Sequence, residues 1–208
     1  APSFGNSEPG KSFVYLGRPE TLAVSSQAAL GVQANSGNSL GLSFAGDIDH
    51  DGFSDLVTGA PEYESEAAQS AEGRIFVYYG AECGQRGFCE SSELILPNQR
   101  EGNQAGARLG ASVSGAGDVN GDGYGDVIAG APTYDGEVFC GFPQFICPVV
   151  DSGAAYVYLG SSTGLATDPG FILQGGPGGF QSAGQAGSGY GSAVAGAGDV
   201  NGDGYGDV

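Results

Sequence analysis

Asp118-Val119-Asn120-Gly121-Asp122-Gly123-Tyr124-Gly125-Asp126-Val127-Ile128-Ala129-Gly130-Ala131-Pro132 is the most instructive stretch of this 208-residue chain. Its first nine residues place oxygen-bearing side chains at positions 1, 3, 5 and 9. Gly stands at position 6, where a backbone wrapping a hard cation must bend sharply. The pattern occurs twice more, at Asp47-Ile48-Asp49-His50-Asp51-Gly52-Phe53-Ser54-Asp55 and at Asp199-Val200-Asn201-Gly202-Asp203-Gly204-Tyr205-Gly206-Asp207. The copies start 71 and then 81 residues apart, which predicts a repeat array.

The donor chemistry selects the ion. Loop 1 offers the carboxylates of Asp47, Asp49, Asp51 and Asp55 and the position-7 carbonyl of Phe53. Loop 2 offers Asp118, Asn120, Asp122, Asp126 and the Tyr124 carbonyl. Loop 3 offers Asp199, Asn201, Asp203, Asp207 and the Tyr205 carbonyl. An all-oxygen set on a flexible loop suits Ca²⁺; Mg²⁺ resists giving up its water shell. Three Ca²⁺ sites are expected. Asp-Gly runs are also common hairpin turns, but a turn alone does not require oxygen at every alternate position. His50, at position 4, is expected to be a solvated loop residue.

Working outward from the loops brings other segments into register. Gly59-Ala60-Pro61 and Gly130-Ala131-Pro132 follow twelve residues after the first Asp of their loops. Ahead of the loops stand Leu40-Gly41, Leu109-Gly110 and Tyr190-Gly191, each opening a run rich in Gly, Ala and Ser. Alternating apolar runs recur at Ile75–Tyr79 and Ala155–Leu159, followed by Glu93–Leu96 and Phe171–Leu173. Short runs punctuated by Gly, Pro and Asp predict antiparallel strands, four per unit, with the metal loop joining the first two. Four-stranded units in tandem predict an all-β chain of β-propeller blades.

The units resemble the FG-GAP repeats that form the seven-bladed propeller of integrin α subunits and occur in bacterial secreted proteins. The resemblance rests on the Leu-Gly and Tyr-Gly pairs at the family's Phe-Gly position, on both Gly-Ala-Pro tripeptides, and on the three loops. It spans about residues 12–208. It divides the chain, as part of one propeller, into a half blade at 12–25, blades at 39–97 and 108–174, and a half blade at 189–208. In the half blade at the start, Ser12–Gly17 matches a third strand and Thr21–Val24 a fourth; the final half blade stops at Val208, early in its second strand. The ring within this chain is expected to be incomplete. Either further blades belong to a longer chain, or other copies complete the half blades and build a ring or filament.

The resemblance also implies two faces. Metal loops line the lower one. The upper one, where ligands and a partner subunit dock in integrins, would be built by Glu62–Gly73, Pro132–Gly153, Asn98–Ala107 and Gly175–Ser188. The second of these carries Cys140 and Cys147 together with Phe139, Phe142, Phe145 and Val149 and is a candidate contact surface.

Composition bounds the rest. The chain has 41 Gly, no Trp or Met, six Lys plus Arg and a formal charge of −18. That balance excludes nucleic acid and insertion into an anionic membrane, and no apolar run is long enough to span one. Four Cys fall in two close pairs, Cys83/Cys89 and Cys140/Cys147, neither spaced as a zinc site. Two local disulfides are the simplest reading, and free buried thiols the alternative. Disulfides with a cation abundant outside cells point to a secreted or cell-surface protein. With one His, no nucleophile–His–acid set can be drawn. Carboxylate pairs leave a glycosidase open by residue type, but the metal loops account for the abundant Asp, so the chain is not expected to be an enzyme. The expected function is a Ca²⁺-stabilised extracellular module for adhesion or for binding a protein or carbohydrate ligand. A structural protein self-assembling through its half blades and a non-catalytic propeller region of a larger secreted enzyme are the alternatives.

Overall fold

A computed structural model describes residues 11–14, 17–18, 21–22, 28–31, 41–64, 71–80, 98–102, 104–141, 145–175 and 186–208. Fourteen strands are defined there. The first four are β1 (Lys11–Val14), β2 (Gly17–Arg18), β3 (Thr21–Leu22) and β4 (Ala28–Gly31). Antiparallel pairing joins β1 to β4 and β2 to β3. Among the described residues Ser12–Val14 lies opposite Ala28–Leu30, not Thr21–Leu22. Thr21 instead lies opposite Arg18 across Pro19-Glu20, a connection of hairpin length.

Two four-stranded antiparallel sheets follow, and they are propeller blades. The first contains β5 (Gly41–Gly46), β6 (Asp55–Ala60), β7 (Arg74–Tyr78) and β8 (Asn98–Glu101), in that order. The second contains β9 (Ser112–Gly117), β10 (Asp126–Ala131), β13 (Ala154–Tyr158) and β14 (Phe171–Leu173). Between β10 and β13 a separate hairpin is formed by β11 (Gly136–Gly141) and β12 (Phe145–Val149). It lies in Pro132–Gly153, one of the segments expected to build the upper face.

The two middle strands of each blade are buried along their whole length. Val57, Ile75 and Val77 of the first blade share one apolar cluster with Leu109, Val113, Val127, Ala129, Tyr156 and Tyr158 of the second. Burial of each such aliphatic side chain contributes about 1.5–3 kcal/mol. Short Gly/Ala-rich first strands let the blades approach through backbone. A Cβ on Gly59 would lie 1.9 Å from the Gly110 carbonyl oxygen, and one on Gly130 would lie 1.8 Å from that of Gly191. Parallel bridges Gly73–Leu109 and Gly153–Tyr190 repeat the junction. The Gly of Gly-Ala-Pro is thus required by the neighbouring blade.

Two expected positions change. The fourth strand of the first blade is Asn98–Glu101, the start of a segment expected on the upper face; Glu93–Leu96 lies outside the described residues. This strand is polar, and Arg74 ties it down by donating to Gln99 Oε1 and Glu101 Oε1. Arg100, itself buried, donates to the carbonyls of Leu165 and Ala166 beside the second blade. Secondly, Leu40-Gly41 is not equivalent to Leu109-Gly110. Gly41 lies within β5 opposite Gly59, whereas the residue opposite Gly130 is Ser112. Gly110 and Gly191 have φ of 89° and 84°, which Gly41 does not share.

In the third unit, Tyr190 bridges to Gly153 and the loop is closed by an antiparallel Gly198–Asp207 bridge. Among the described residues no ring is closed.

Candidate metal centre

Loop 1 runs from the end of β5 to the start of β6. Asp47 organises it: Oδ1 accepts from the Asp51 amide at 3.0 Å and Oδ2 from the Gly52 amide at 2.9 Å. Asp51 Oδ1 accepts from the Phe53 amide at 2.9 Å. Asp55, fully buried, closes the far end. Its Oδ2 accepts from the Ile48 amide at 2.7 Å and its Oδ1 from the Gly80 amide at 2.8 Å, beyond β7. The ninth-position carboxylate therefore clamps the loop to the third strand, and each oxygen retains a lone pair for another partner.

Asp47, Asp49 and Asp55 bring carboxylate oxygens within 4.8 Å of one another. Asp49 Oδ1 is buried and has no hydrogen-bond partner. Burial raises the Asp49 carboxyl above its ordinary range, and the charges of Asp51 and Asp47 push further the same way. Burial likewise raises Asp55, to about 6, against the backbone donors Gly80 and Ile48 that favour its anion. Converging carboxylates with an orphaned oxygen fit a hard divalent cation, whose charge reverses this penalty. Asp51 is exposed and stands outside that close group.

Loops 2 and 3 reproduce the frame. Asp118 accepts from the amides of Gly121, Asp122 and Gly123 at 2.7, 3.0 and 2.8 Å. Asp199 accepts from Gly202, Asp203 and Gly204 at 2.7, 3.0 and 2.9 Å. Asp126 takes the Val119 and Gly160 amides, both at 2.8 Å, and Asp207 takes that of Val200 at 2.7 Å. Asp122 and Asp203 accept from the Tyr124 and Tyr205 amides. At position 3 the Asn alters the electrostatics. Asn120 Nδ2 donates to Asp122 Oδ2 at 2.8 Å, and Asn201 Nδ2 to Asp203 Oδ2 at 3.0 Å. An amide in place of a carboxylate relieves like-charge repulsion. Burial raises the Asp126 carboxyl too.

Position 4 adopts the left-handed conformation in all three loops: φ is 60° at His50, 74° at Gly121 and 76° at Gly202. His50 is exposed as expected, yet its Nδ1 lies 2.9 Å from the Gly123 oxygen and its ring meets the edge of Tyr124. Sequence reasoning missed Gly80 and Gly160, whose amides anchor the ninth-position Asp. The signal was available in the Tyr79-Gly80 and Leu159-Gly160 pairs that end each third strand.

On the upper segments, Gln104 bonds both ways with the Asp135 backbone, and Thr133 donates to the Gly106 carbonyl. Cys147 in β12 is disulfide-bonded. Cys83 and Cys89, and the side chain of Cys140, lie outside the described residues, as do Phe142 and the side chains of Phe139 and Phe145. A cleft of about 530 Å³ opens between β8 and the second blade, lined by Gln99, Arg100, Tyr134, Tyr156 and Asp168 among others.

Residues 42–78 and 109–158 match the FG-GAP repeat. The chain is 34% identical to integrin alpha-6 of Gallus gallus over 129 residues, 62% of this chain and 10% of that protein. It is 33% identical to integrin alpha-PS2 of Drosophila melanogaster over 131 residues, 62% of this chain and 8% of that one. With integrin alpha-7 of Rattus norvegicus the identity is 31% over 163 residues, covering 78% of this chain and 12% of the relative. The chain thus spans about a tenth of the length of these relatives.

Proposed function

Because this chain belongs to the FG-GAP repeat family, we propose that it is a Ca²⁺-stabilised extracellular propeller module that binds a protein or carbohydrate ligand in adhesion and carries no catalysis of its own. The observation behind the metal is the convergence of Asp47, Asp49 and Asp55 around an orphaned Asp49 oxygen. The ligands would be the side chains at positions 1, 3, 5 and 9 of each loop with the carbonyls of Phe53, Tyr124 and Tyr205. Bound Ca²⁺ supplies the positive charge that these carboxylates require, and the protein supplies a preformed hairpin clip. The likeness to integrin alpha chains supports the adhesive role and the cell-surface setting. Among the described residues no helix is long and apolar enough to cross a membrane. Disulfides Cys83–Cys89 and Cys140–Cys147, each within one connection, fit that setting. All units are read as one propeller, with the first full blade extending through β8.

Calorimetric titration of the chelator-stripped chain with CaCl₂ tests the metal. Three equivalents per chain are expected, each adding roughly 1.4 kcal/mol of stability at tenfold excess over Kd. An unchanged melting temperature with and without EDTA refutes the assignment. Cells layered on the immobilised chain test adhesion: attachment is expected in Ca²⁺ and is lost in EDTA.

A further inference from the structure

We propose that the metal loops are coupled in series: position 8 of each loop closes on the backbone of the loop before it, so that cation binding at one raises the affinity of the next. This rests on the metal reading above. The Gly125 amide donates to the Asp47 carbonyl at 2.8 Å, and the Gly206 amide donates to the Asp118 carbonyl at 2.6 Å. The acceptor in each pair belongs to the position-1 ligand of one loop. The donor immediately precedes the position-9 ligand of the next, Asp126 or Asp207. One hydrogen bond therefore links ligand 1 of a loop to ligand 9 of its successor.

Position 8 is Gly in loops 2 and 3 because of this closeness. Neither Gly125 nor Gly206 has a left-handed φ. A Cβ on Gly125 would lie 3.0 Å from the Ala45 oxygen and 3.1 Å from that of Asp47; on Gly206 it would lie 2.7 Å from the Ala116 oxygen. Residues 1–46 hold no such loop, and loop 1 carries Ser54 at position 8, where it is exposed. A side chain at position 8 is thus compatible with the loop itself. The first strands show the same contrast independently. Gly115 and Gly196 abut the backbone of the blade before them, at Phe44 and Gly115, whereas the residue at the same distance from loop 1 is Phe44, 64% exposed.

Side chains reinforce each junction. His50 of loop 1 reaches the Gly123 oxygen of loop 2. The Tyr205 ring of loop 3 lies against Gly121, where a Cβ would come within 2.5 Å of it. A cation that fixes the Asp47 carboxylate also fixes its peptide, and so pre-orders the Tyr124–Gly125 peptide beside Asp126. By linkage the effect runs equally in reverse.

The test is site-resolved Ca²⁺ titration by NMR of the full 208-residue chain. The amides of Gly52, Gly123 and Gly204 serve as reporters, since each donates to the position-1 carboxylate of its own loop. Gly125→Ala is expected to weaken loops 1 and 2 about 3–10-fold and leave loop 3 near the parent value. Gly206→Ala should do the same to loops 2 and 3, and Ser54→Ala should change nothing. The decisive reporter is Gly52, which is remote in sequence from the Gly125 substitution. If Gly52 titrates with parental affinity in Gly125→Ala, series coupling is wrong and the Ca²⁺ sites stand. If no reporter in the parent responds to Ca²⁺, the metal reading itself falls. Should circular dichroism show Gly125→Ala unfolded, His50→Ala probes the same junction: weaker titration at Gly123 supports coupling, and parental titration there refutes it.

Discussion

Replacing Asp126 with Ala should do far more damage without Ca²⁺ than replacing Asp122, although both are offered as ligands of the same ion. Asp126 is fully buried, and its two oxygens hold the Val119 and Gly160 amides at 2.8 Å each. Ala leaves both donors without their acceptor. At about 1–3 kcal/mol for each unsatisfied buried group, the expected loss is about 3 kcal/mol in chelator. Asp122 is exposed, and water can replace it as acceptor for the Tyr124 amide. Its loss should be under ~1 kcal/mol in chelator. Ca²⁺ at tenfold excess over Kd adds roughly 1.4 kcal/mol to the parent, which either variant forgoes at this site. Urea unfolding followed by tyrosine circular dichroism, with EDTA and with Ca²⁺, gives all four differences. Equal losses for the two variants in EDTA would refute the argument that the ninth-position carboxylate is a structural clamp as well as a ligand.

Other substitutions probe the frame around the loops. His50 is held at φ 60° where the sister loops have Gly. His50→Gly should be more stable than His50→Ala by about 1 kcal/mol in chelator, since both lose the imidazole and only Ala keeps the strain; equal urea midpoints would rule this out. Arg100→Ala removes a buried guanidinium and strands the carbonyls of Leu165 and Ala166. A loss of about 3 kcal/mol is expected, and a change below ~0.5 kcal/mol would mean that this strand is held by something else.

The loops were legible because one pattern of Asp, Asn and Gly recurs in them at fixed spacing. Strands Arg74–Tyr78 and Ala154–Tyr158 were legible because their recurring apolar runs, Ile75–Tyr79 and Ala155–Leu159, are the residues that the blades bury. Asn98–Glu101 was not, since arginine hydrogen bonds hold it and no apolar pattern marks it. The hairpin Gly136–Val149 hid inside a long connection whose Gly and Pro residues read as loop. The Leu40-Gly41 register failed because two of the three Gly pairs serve the neighbouring blade while Gly41 sits in its own strand. The anchors Gly80 and Gly160 were marked by the Tyr79-Gly80 and Leu159-Gly160 pairs. A Cβ there would lie 2.6 Å from the Ser54 oxygen and 2.3 Å from that of Gly125. Which carboxylate takes each amide is set by packing and is not written in the residue type.

Main chain touches main chain where Gly59 meets Gly110 and where Gly130 meets Gly191. The pitch from one blade to the next is therefore set by atoms common to every amino acid. With Gly at each of these points no side chain enters the spacing, and a larger residue would have to push the blades apart. Connections above and below can lengthen, acquire a hairpin or change their charge while the spacing stays the same. A scaffold of this kind separates the dimension that must not vary from the surfaces on which new recognition can arise.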